Sequence, residues 1–305
     1  MKLQRGGDSA ASASDERPPS PGSEPAATVV VDIGNARIKW ACVEGGRLFA
    51  AGHAVHAGAL DSALEAFAAA LPASAGRIVA ANVAGEDVAS RLAALMLARR
   101  GLEPFFVRTA AETLGVRCGY RDPSRLGVDR WVALVAAHKL AAVPGGEPHP
   151  ACVINAGTAI TFDAVDAAGQ HLGGLILAGP RIVADALDRN TRGIGATLPA
   201  DGVPAGLELL GRSTDEAVGR GALLAPAAAF DRVIRIIESA LGASPRVFLA
   251  GGDAPLLAPW LETKVQLRAD LVLEGLALLA EGAPAEPRQP GERAAASAIP
   301  ERSRR

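Results

Sequence analysis

The sequence predicts an α/β protein made of two similar domains with a cleft between them, each domain opened by a three-stranded antiparallel meander. Two stretches carry this prediction, VVVDIGNARIKW at 29–40 and CVINAGTAITFD at 152–163. In each, an apolar strand ends at an Asp-x-Gly or Asn-x-Gly step, and an alternating strand, a glycine turn and a third strand follow. A Pro- and Gly-rich stretch at 141–151 separates the two units. The matching order favours duplication over a chance likeness of two hairpins.

The first half begins with a buried strand, which its run of β-branched residues predicts. The apolar face of the second strand carries Ile38, Trp40 and Cys42. Its polar face carries Arg37 and Lys39. The rest of this half is predicted as a strand (LFAAGHAV), a helix (LDSALEAFAAALP), a strand (RIVAANV), a helix (AGEDVASRLAALMLARRG), a strand (EPFFV) and a helix from near Val128.

The second half repeats the meander and then turns helical. Its later elements are predicted as two helical segments (RIVADALDRNT and GRSTDEAVGRGALLAPAAAFDRVIRIIESAL), a strand running into a glycine turn (RVFLAGGDA) and a closing helix (DLVLEGLALLAE). We expect domains at 28–147 and 148–282. The ends, 1–27 and 283–305, are rich in Ser, Pro, Gly and charge, so we expect disordered tails there.

Composition narrows the function classes. The chain has 305 residues, with 31 Lys and Arg against 33 Asp and Glu, and this balance gives no electrostatic footprint for nucleic acid. We expect no membrane partner, because no apolar run reaches membrane-spanning length and the N-terminus lacks a secretory apolar core. Three cysteines without CxxC spacing predict a reducing, cytoplasmic location.

Several common sites are missing from the sequence. It has no GxxxxGK[ST] loop, no GxGxxG after a strand and no GxSxG elbow, and its histidines show no metal-ligand spacing. The two polar-x-Gly turns remain. Gly34 and Gly157 permit close approach of a ligand, Asn35 and Thr158 add neutral donors, and Lys39 adds a cation.

These turns and a third glycine turn at 250–254 predict a site that clamps a nucleoside triphosphate across the cleft. Asp32 could hold a hydrated Mg²⁺ at the phosphates. The alternative is three ordinary turns that use Gly and Asn for their backbone angles.

The motifs, taken in order, resemble the type III pantothenate kinase family, also called the Bvg accessory factor family, over roughly residues 28–281. This family lies within the actin, sugar-kinase and heat-shock ATPase superfamily. The motifs are DIGNARIK, YRDPSRLGVDRW, NAGTAITFD, HLGGLILAGP, NTRGI, GRSTDEAVGRG, AGGDA and LVLEGL. The resemblance implies two duplicated ribonuclease H-like domains, an actin-like ATPase fold. It also implies ATP-dependent phosphorylation of pantothenate to 4'-phosphopantothenate, the first step of coenzyme A biosynthesis.

The resemblance also implies residue roles, with Asp129 as the catalytic base and position 155 as a site for a monovalent cation, K⁺ or NH₄⁺. The cofactors would be ATP and Mg²⁺, and the assembly a homodimer. The implied ATP-binding residues are Asp32, Ile33, Gly34, Asn35, Ala36, Arg37, Ile38, Lys39 and Thr158. The implied pantothenate-binding residues are Tyr120, Gly127, Val128, Asp129, Arg130 and Thr191.

The chemistry of three of these residues leaves alternatives open. Asp129 stands at a helix entry, where a carboxylate either caps backbone donors or accepts the proton of an attacking hydroxyl. Arg130 either holds a substrate carboxylate through two hydrogen bonds or forms a surface ion pair. Tyr120 either packs or hydrogen-bonds a ligand.

Two positions differ from the family pattern. Ala36 stands where Thr or Ser is usual, and Asn155 where Asp is common. Two other functions are therefore weighed beside pantothenate kinase. One is a kinase of the same fold acting on another small hydroxyl compound, and the other is a non-catalytic nucleotide-binding accessory protein.

Overall fold

The computed structural model describes residues 26–142, 147–190, 198–199 and 202–282. The first sheet and a small hairpin after it contain β1 (Ala27–Ile33), β2 (Arg37–Glu44), β3 (Arg47–Val55), β4 (Ala75–Asn82), β5 (Phe105–Phe106), β6 (Glu112–Thr113) and β7 (Val116–Arg117). The second sheet contains β8 (Ala151–Ala156), β9 (Ala159–Val165), β10 (His171–Ala178), β11 (Arg246–Ala250) and β12 (Val265–Leu267). The helices are α1 (Leu60–Ala70), α2 (Glu86–Arg100), α3 (Val128–Ala141), α4 (Pro180–Asn190), α5 (Thr214–Leu241), α6 (Ala254–Leu257) and α7 (Leu271–Gly282).

The two five-stranded sheets share one topology. Their strand orders are β3-β2-β1-β4-β5 and β10-β9-β8-β11-β12. In each sheet the first three strands form an antiparallel meander, and the two later strands run parallel to the first. This repeated arrangement confirms the duplication predicted from the sequence, and it is the ribonuclease H-like order expected of an actin-like ATPase fold.

Three hydrophobic cores divide the protein into layers. Helices α1 and α2 pack on the outer face of the first sheet, and α5 and α6 pack on the outer face of the second. Helices α3 and α7 lie between the sheets, where Trp131 and Leu276 are fully buried. Although α3 precedes the domain boundary proposed at 147/148, it packs on β8 and β9. The chain's last described helix, α7, packs on β1.

Strand alternation decides which side chains face the central layer. In β1, Val29, Val31 and Ile33 face the outer core, whereas Val30 faces the central one. Asp32 has the same parity as Val30, so the alternation turns its carboxyl group toward α3 and α7. The same rule turns Lys39 of β2, Asn155 of β8 and Asp163 of β9 toward the middle of the protein. The sheets therefore present polar groups to the cleft from their inner faces.

A few elements escaped sequence prediction. The hairpin β6–β7 and the edge strand β12 were not expected, and only two residues of the segment EPFFV pair as a strand. Strands of two or three residues are too short to show an alternating pattern. The tails predicted to be disordered lie almost wholly outside the described residues. Within the described ranges, no helix is both long and apolar enough to cross a bilayer.

Candidate active site

The two polar-x-Gly turns open onto one cavity between the sheets. Its volume is about 420 Å³, and Asp32 and Gly34 line it from the first turn. Gly157 and Thr158 line it from the second turn, and the glycine turn at 250–253 closes a third side. The structure thus places around a single cleft the three turns that the sequence singled out.

Hydrogen bonds close the first two turns in a similar way. Gly34 N donates to Arg37 O at 3.0 Å, and Gly157 N donates to Ala159 O at 3.1 Å. The first turn has an additional brace in His56, whose Nε2 lies 2.6 Å from Gly34 O and whose backbone N donates to Ala36 O at 3.0 Å. These hydrogen bonds fix the backbone conformation of each turn without a bound ligand.

The third turn lies against the second turn and against the side chain of Arg37. Gly251 has φ +95°, and a Cβ atom there would collide with Ala156 O and with the Asn155 side chain. A Cβ atom on Gly252 would lie 2.6 Å from Arg37 Nη1, so Arg37 reaches across the cleft from the first sheet. Glycine is therefore required at Gly251, whose Cβ atom would meet backbone, whereas the Arg37 side chain beside Gly252 can move away.

Asp32 lies near two other carboxyl groups and one lysine. Burial, together with the neighbouring carboxylate of Asp129, raises the pKa of Asp32 to about 7. Lys39 opposes that rise, and Asp270 adds to it. Lys39 Nζ donates to Ala269 O at 2.8 Å and lies 3.6 Å from Asp270 Oδ1, so its charge is shared. A carboxylate in these surroundings is stabilised by a bound cation, and the site therefore fits a divalent ion accompanying phosphate groups.

Asp129 is the second residue of α3, with Gly127 as the residue before the helix. Its Oδ1 accepts a hydrogen bond from Arg130 N at 2.8 Å, so the carboxylate satisfies one free donor of the first turn. Burial nonetheless raises the pKa of Asp129 above its usual range. The side chain is close enough to Asp32 to contribute to that residue's raised pKa.

Arg130 is not at the surface, and the alternative of a surface ion pair is wrong. Its side chain is 7% exposed and pairs with Asp163, Nε donating to Oδ2 at 2.8 Å and Nη2 to Oδ1 at 2.7 Å. Its Nη1 donates to Tyr120 Oη at 3.1 Å. Tyr120 also stacks on His171, with ring centroids 5.7 Å apart.

The comparisons with known proteins agree with this architecture. A family model described as type III pantothenate kinase matches residues 28–236. The chain belongs to the type III pantothenate kinase family. A type III pantothenate kinase of Nitrosococcus oceani is 36% identical over 260 residues, covering 83% of this chain and 93% of the relative. Another, from Aromatoleum aromaticum, is 40% identical over 254 residues, covering 83% and 97%.

A solved structure from Campylobacter jejuni, described as a Baf family transcriptional activator, has the same fold. Its TM-score is 0.50 at 18% identity, and the match covers 83% of this chain and 98% of that one. At this level of identity the likeness concerns the fold alone.

The residues assigned by analogy with type III pantothenate kinases fall into two groups. Asp32, Gly34, Ala36, Arg37, Lys39, Asn155 and Thr158 line the cavity. Tyr120 and the segment 127–130 form a second group around the start of α3. Val128 packs into the central core. Thr191 lies outside the described residues.

Three of the predicted ATP-binding residues do not line the cavity. The side chains of Ile33 and Ile38 are fully buried in the outer core, so these residues could offer a nucleotide only backbone groups. Asn35 is exposed at the tip of the first turn.

Sequence reasoning missed several residues of this region. Arg181 and Asp185 of α4 line the cavity, together with Asp270 before α7. His56 and Asp163 contact site residues directly. The parity of β9 could have placed Asp163 on the inner face, but the partner of its carboxylate lies on a helix 33 residues away in the chain.

Proposed function

We propose that this type III pantothenate kinase transfers the γ-phosphoryl group of ATP to the primary hydroxyl of pantothenate. The products are ADP and 4'-phosphopantothenate, the first step of coenzyme A biosynthesis. The observation that carries the proposal is the match to the family along most of the chain. The cleft with its three glycine turns supports it independently, because such turns bring backbone donors close to phosphate oxygens.

ATP binds in the cavity between the turns. Gly34 and Gly157 admit the phosphates to the backbone, and Thr158 and Lys39 add polar contacts. Asp32 would hold a Mg²⁺ ion, and the ion would supply positive charge against the phosphate oxygens. A cation bound there would lower the raised pKa of Asp32 by stabilising its ionised form.

Asp129 is the general base. The pantothenate hydroxyl attacks the γ-phosphorus, a new O–P bond forms, the bond to the β,γ-bridging oxygen breaks and the hydroxyl proton passes to the Asp129 carboxylate. Its raised pKa suits this task, because proton transfer is most effective when the pKa of the base approaches the working pH.

Arg130 and Tyr120, with Gly127 and Val128, bind the pantothenate acceptor next to Asp129. Thr191, outside the described residues, belongs to the same set by family analogy. The Arg130 guanidinium suits a carboxylate substrate because its N–H groups are planar and permanently charged.

The protein acts as a homodimer in the cytoplasm. Supporting the dimer, β10 is an edge strand of the second sheet and carries exposed apolar side chains. Leu175 is 43% exposed and Ile176 63%. Exposed apolar surface of this kind is typical of an interface. The free thiols of Cys42, Cys118 and Cys152 fit a reducing compartment.

A monovalent cation, K⁺ or NH₄⁺, binds beside Asn155 more weakly than it would beside an aspartate. Asn155 borders the cavity and can offer its amide oxygen as a ligand. The amide supplies a dipole where an aspartate would supply a full charge.

An ADP-release assay tests the proposed reaction. Purified protein with MgATP is given pantothenate or a panel of other small alcohols, including sugars. We expect ADP release that depends on pantothenate. Equal or faster release with another alcohol would show a different acceptor, and nucleotide binding without any release would show an accessory protein.

A further inference from the structure

A buried polar cluster lies next to the start of α3. It consists of Arg130, Asp163, His171 and Tyr120, and is called here the Asp163 cluster. The Asp163 carboxylate accepts two hydrogen bonds from Arg130 and lies 3.2 Å from His171 Nε2. Gly119 N donates to His171 Nδ1 at 3.3 Å, which leaves the ring hydrogen on Nε2, facing Asp163. Asp163, which lies on β9, thus connects Arg130 of α3 to the second sheet.

The surrounding backbone leaves space for this cluster and for little else. A Cβ atom on Gly174 of β10 would collide with both Asp163 Oδ1 and Arg130 Nη2. A Cβ atom on Gly119 would collide with His171 O. The side chains of Asp163 and His171 are 3% and 0% exposed. The guanidinium of Arg130 therefore has one place to lie, and Asp163 defines it.

The hydrogen-bond count of Arg130 shows what remains for a ligand. A guanidinium has five N–H groups. Asp163 accepts two of them and Tyr120 Oη accepts a third, which leaves two N–H groups that no described residue accepts. A planar carboxylate can take two N–H groups at once.

We propose that Asp163 is a positioning residue for acceptor recognition, fixing the Arg130 guanidinium so that its two remaining N–H groups face the carboxylate of the acceptor. Asp163 itself does not touch the substrate. The inference rests on the proposed function, because it needs a carboxylate acceptor such as pantothenate. It adds to that function the reason why a single arginine can select for the carboxylate.

Asp163 would lower the entropy cost of substrate binding. An arginine side chain loses considerable rotamer freedom when a ligand must orient it, and Asp163 imposes that orientation before binding. A site built to hydrogen-bond a polar group discriminates strongly against an analogue that lacks the group. Loss of Asp163 should therefore weaken recognition of the carboxylate while the ATP turns keep their shape.

The test compares pantothenate with pantothenol, its analogue in which a CH₂OH group replaces the carboxylate, in the ADP-release assay. Asp163→Asn should lower kcat/KM for pantothenate roughly 10–100-fold, the range expected for a charge-assisted hydrogen bond. The KM for ATP should stay within about twofold, and the preference for pantothenate over pantothenol should fall in parallel.

Asp231→Asn is the matched control. Asp231 is also buried in the second half of the chain, and its carboxylate accepts hydrogen bonds from the backbone N of Glu262 and Thr263, both at 2.9 Å. It should lower the melting temperature without changing the acceptor preference. A similar loss of preference in Asp231→Asn would show a general structural effect and overturn the proposal.

A second variant covers the case in which Asp163→Asn does not fold. Asp163→Glu keeps the charge beside Arg130 but lengthens the side chain in a space with no room, so it should displace the guanidinium and lower the preference. A folded Asp163→Glu or Asp163→Asn protein with the wild-type preference overturns the proposal. If the wild type itself does not phosphorylate pantothenate, the proposed function fails, and this inference fails with it.

Discussion

Two neighbouring carboxylates, Asp32 of the cleft and Asp129 of α3, interact electrostatically, and each raises the question of how its charge is tolerated. Asp32 is the penultimate residue of β1, and Asp129 is the second residue of α3. Burial raises the pKa of both. Strongly shifted pKa values are common at functional sites, because burying a charge costs free energy and the need for function maintains that cost. The two residues therefore lead to separate predictions.

Asp129→Asn should reduce turnover about 10²–10⁴-fold, the usual contribution of a positioned base. The amide keeps the side chain's size and can still accept from Arg130 N, so the melting temperature and ATP binding should change little. Steady-state kinetics and thermal unfolding check this. Turnover within a few-fold of wild type would remove the base assignment, and a large fall in melting temperature would instead favour a capping role.

Asp32→Asn should stabilise the nucleotide-free protein at pH 8. The folded-state pKa, about 7, lies above the ordinary value, so the folded protein binds the proton more tightly than the unfolded chain. The wild type therefore loses stability as pH rises from about 4 to 7, and the full cost is present above pH 7. Denaturant unfolding should show an advantage for the variant at pH 8 that shrinks toward pH 4.

The same variant should lose Mg²⁺-dependent turnover. A variant with no stability advantage at pH 8 would contradict the assigned charge balance of Asp32. Normal turnover with normal MgATP binding would contradict its role at the phosphates.

Asn155→Asp should lower the K⁺ concentration that gives half-maximal turnover. An added charge at about 3 Å attracts a cation by roughly a few kcal/mol at an effective dielectric near 20, and desolvation offsets part of this. The comparison requires K⁺ titrations of wild type and variant at constant ionic strength, balanced with a bulky organic cation. If both proteins ignore K⁺, position 155 does not hold a monovalent cation.

At the scale of elements, strand alternation explains what could be predicted and what could not. It correctly separated Ile38, Trp40 and Cys42 from Lys39, since a period of two is visible in the sequence. It could not show that α7 returns to the first sheet or that Arg130 pairs with Asp163. Those contacts join distant segments, and their geometry depends on how the layers pack.

The third glycine turn gives a prediction at this scale. Gly251→Ala should destabilise the protein by about 3 kcal/mol or more, because a clash with Ala156 O adds to the backbone strain at φ +95°. It should also raise the KM for ATP. Gly242→Ala is the control, since Gly242 ends α5 at φ +65° and a Cβ atom there would meet no atom within 4 Å, so it should cost only backbone strain of about 1–2 kcal/mol. Equal unfolding free energies for the two variants would contradict the close contact of the turns.

At the scale of the whole molecule, a duplicated unit creates one cleft. Each sheet contributes an equivalent turn, and α3 and α7 between the sheets fix the distance between them. Asp129 and Arg130 stand on the helix that touches both halves. In the proposed reaction, this one helix would hold the base near the phosphates and the arginine near the acceptor, as phosphoryl transfer requires.

Identification of the product by mass spectrometry is the most direct test of the proposed reaction. Wild-type protein is incubated with MgATP and pantothenate, and ADP and phosphorylated acceptor are quantified together. The account predicts that 4'-phosphopantothenate accumulates in equal amount with ADP, and that both fall together in Asp129→Asn. ADP formation without 4'-phosphopantothenate, or no phosphorylated product at all, would contradict it.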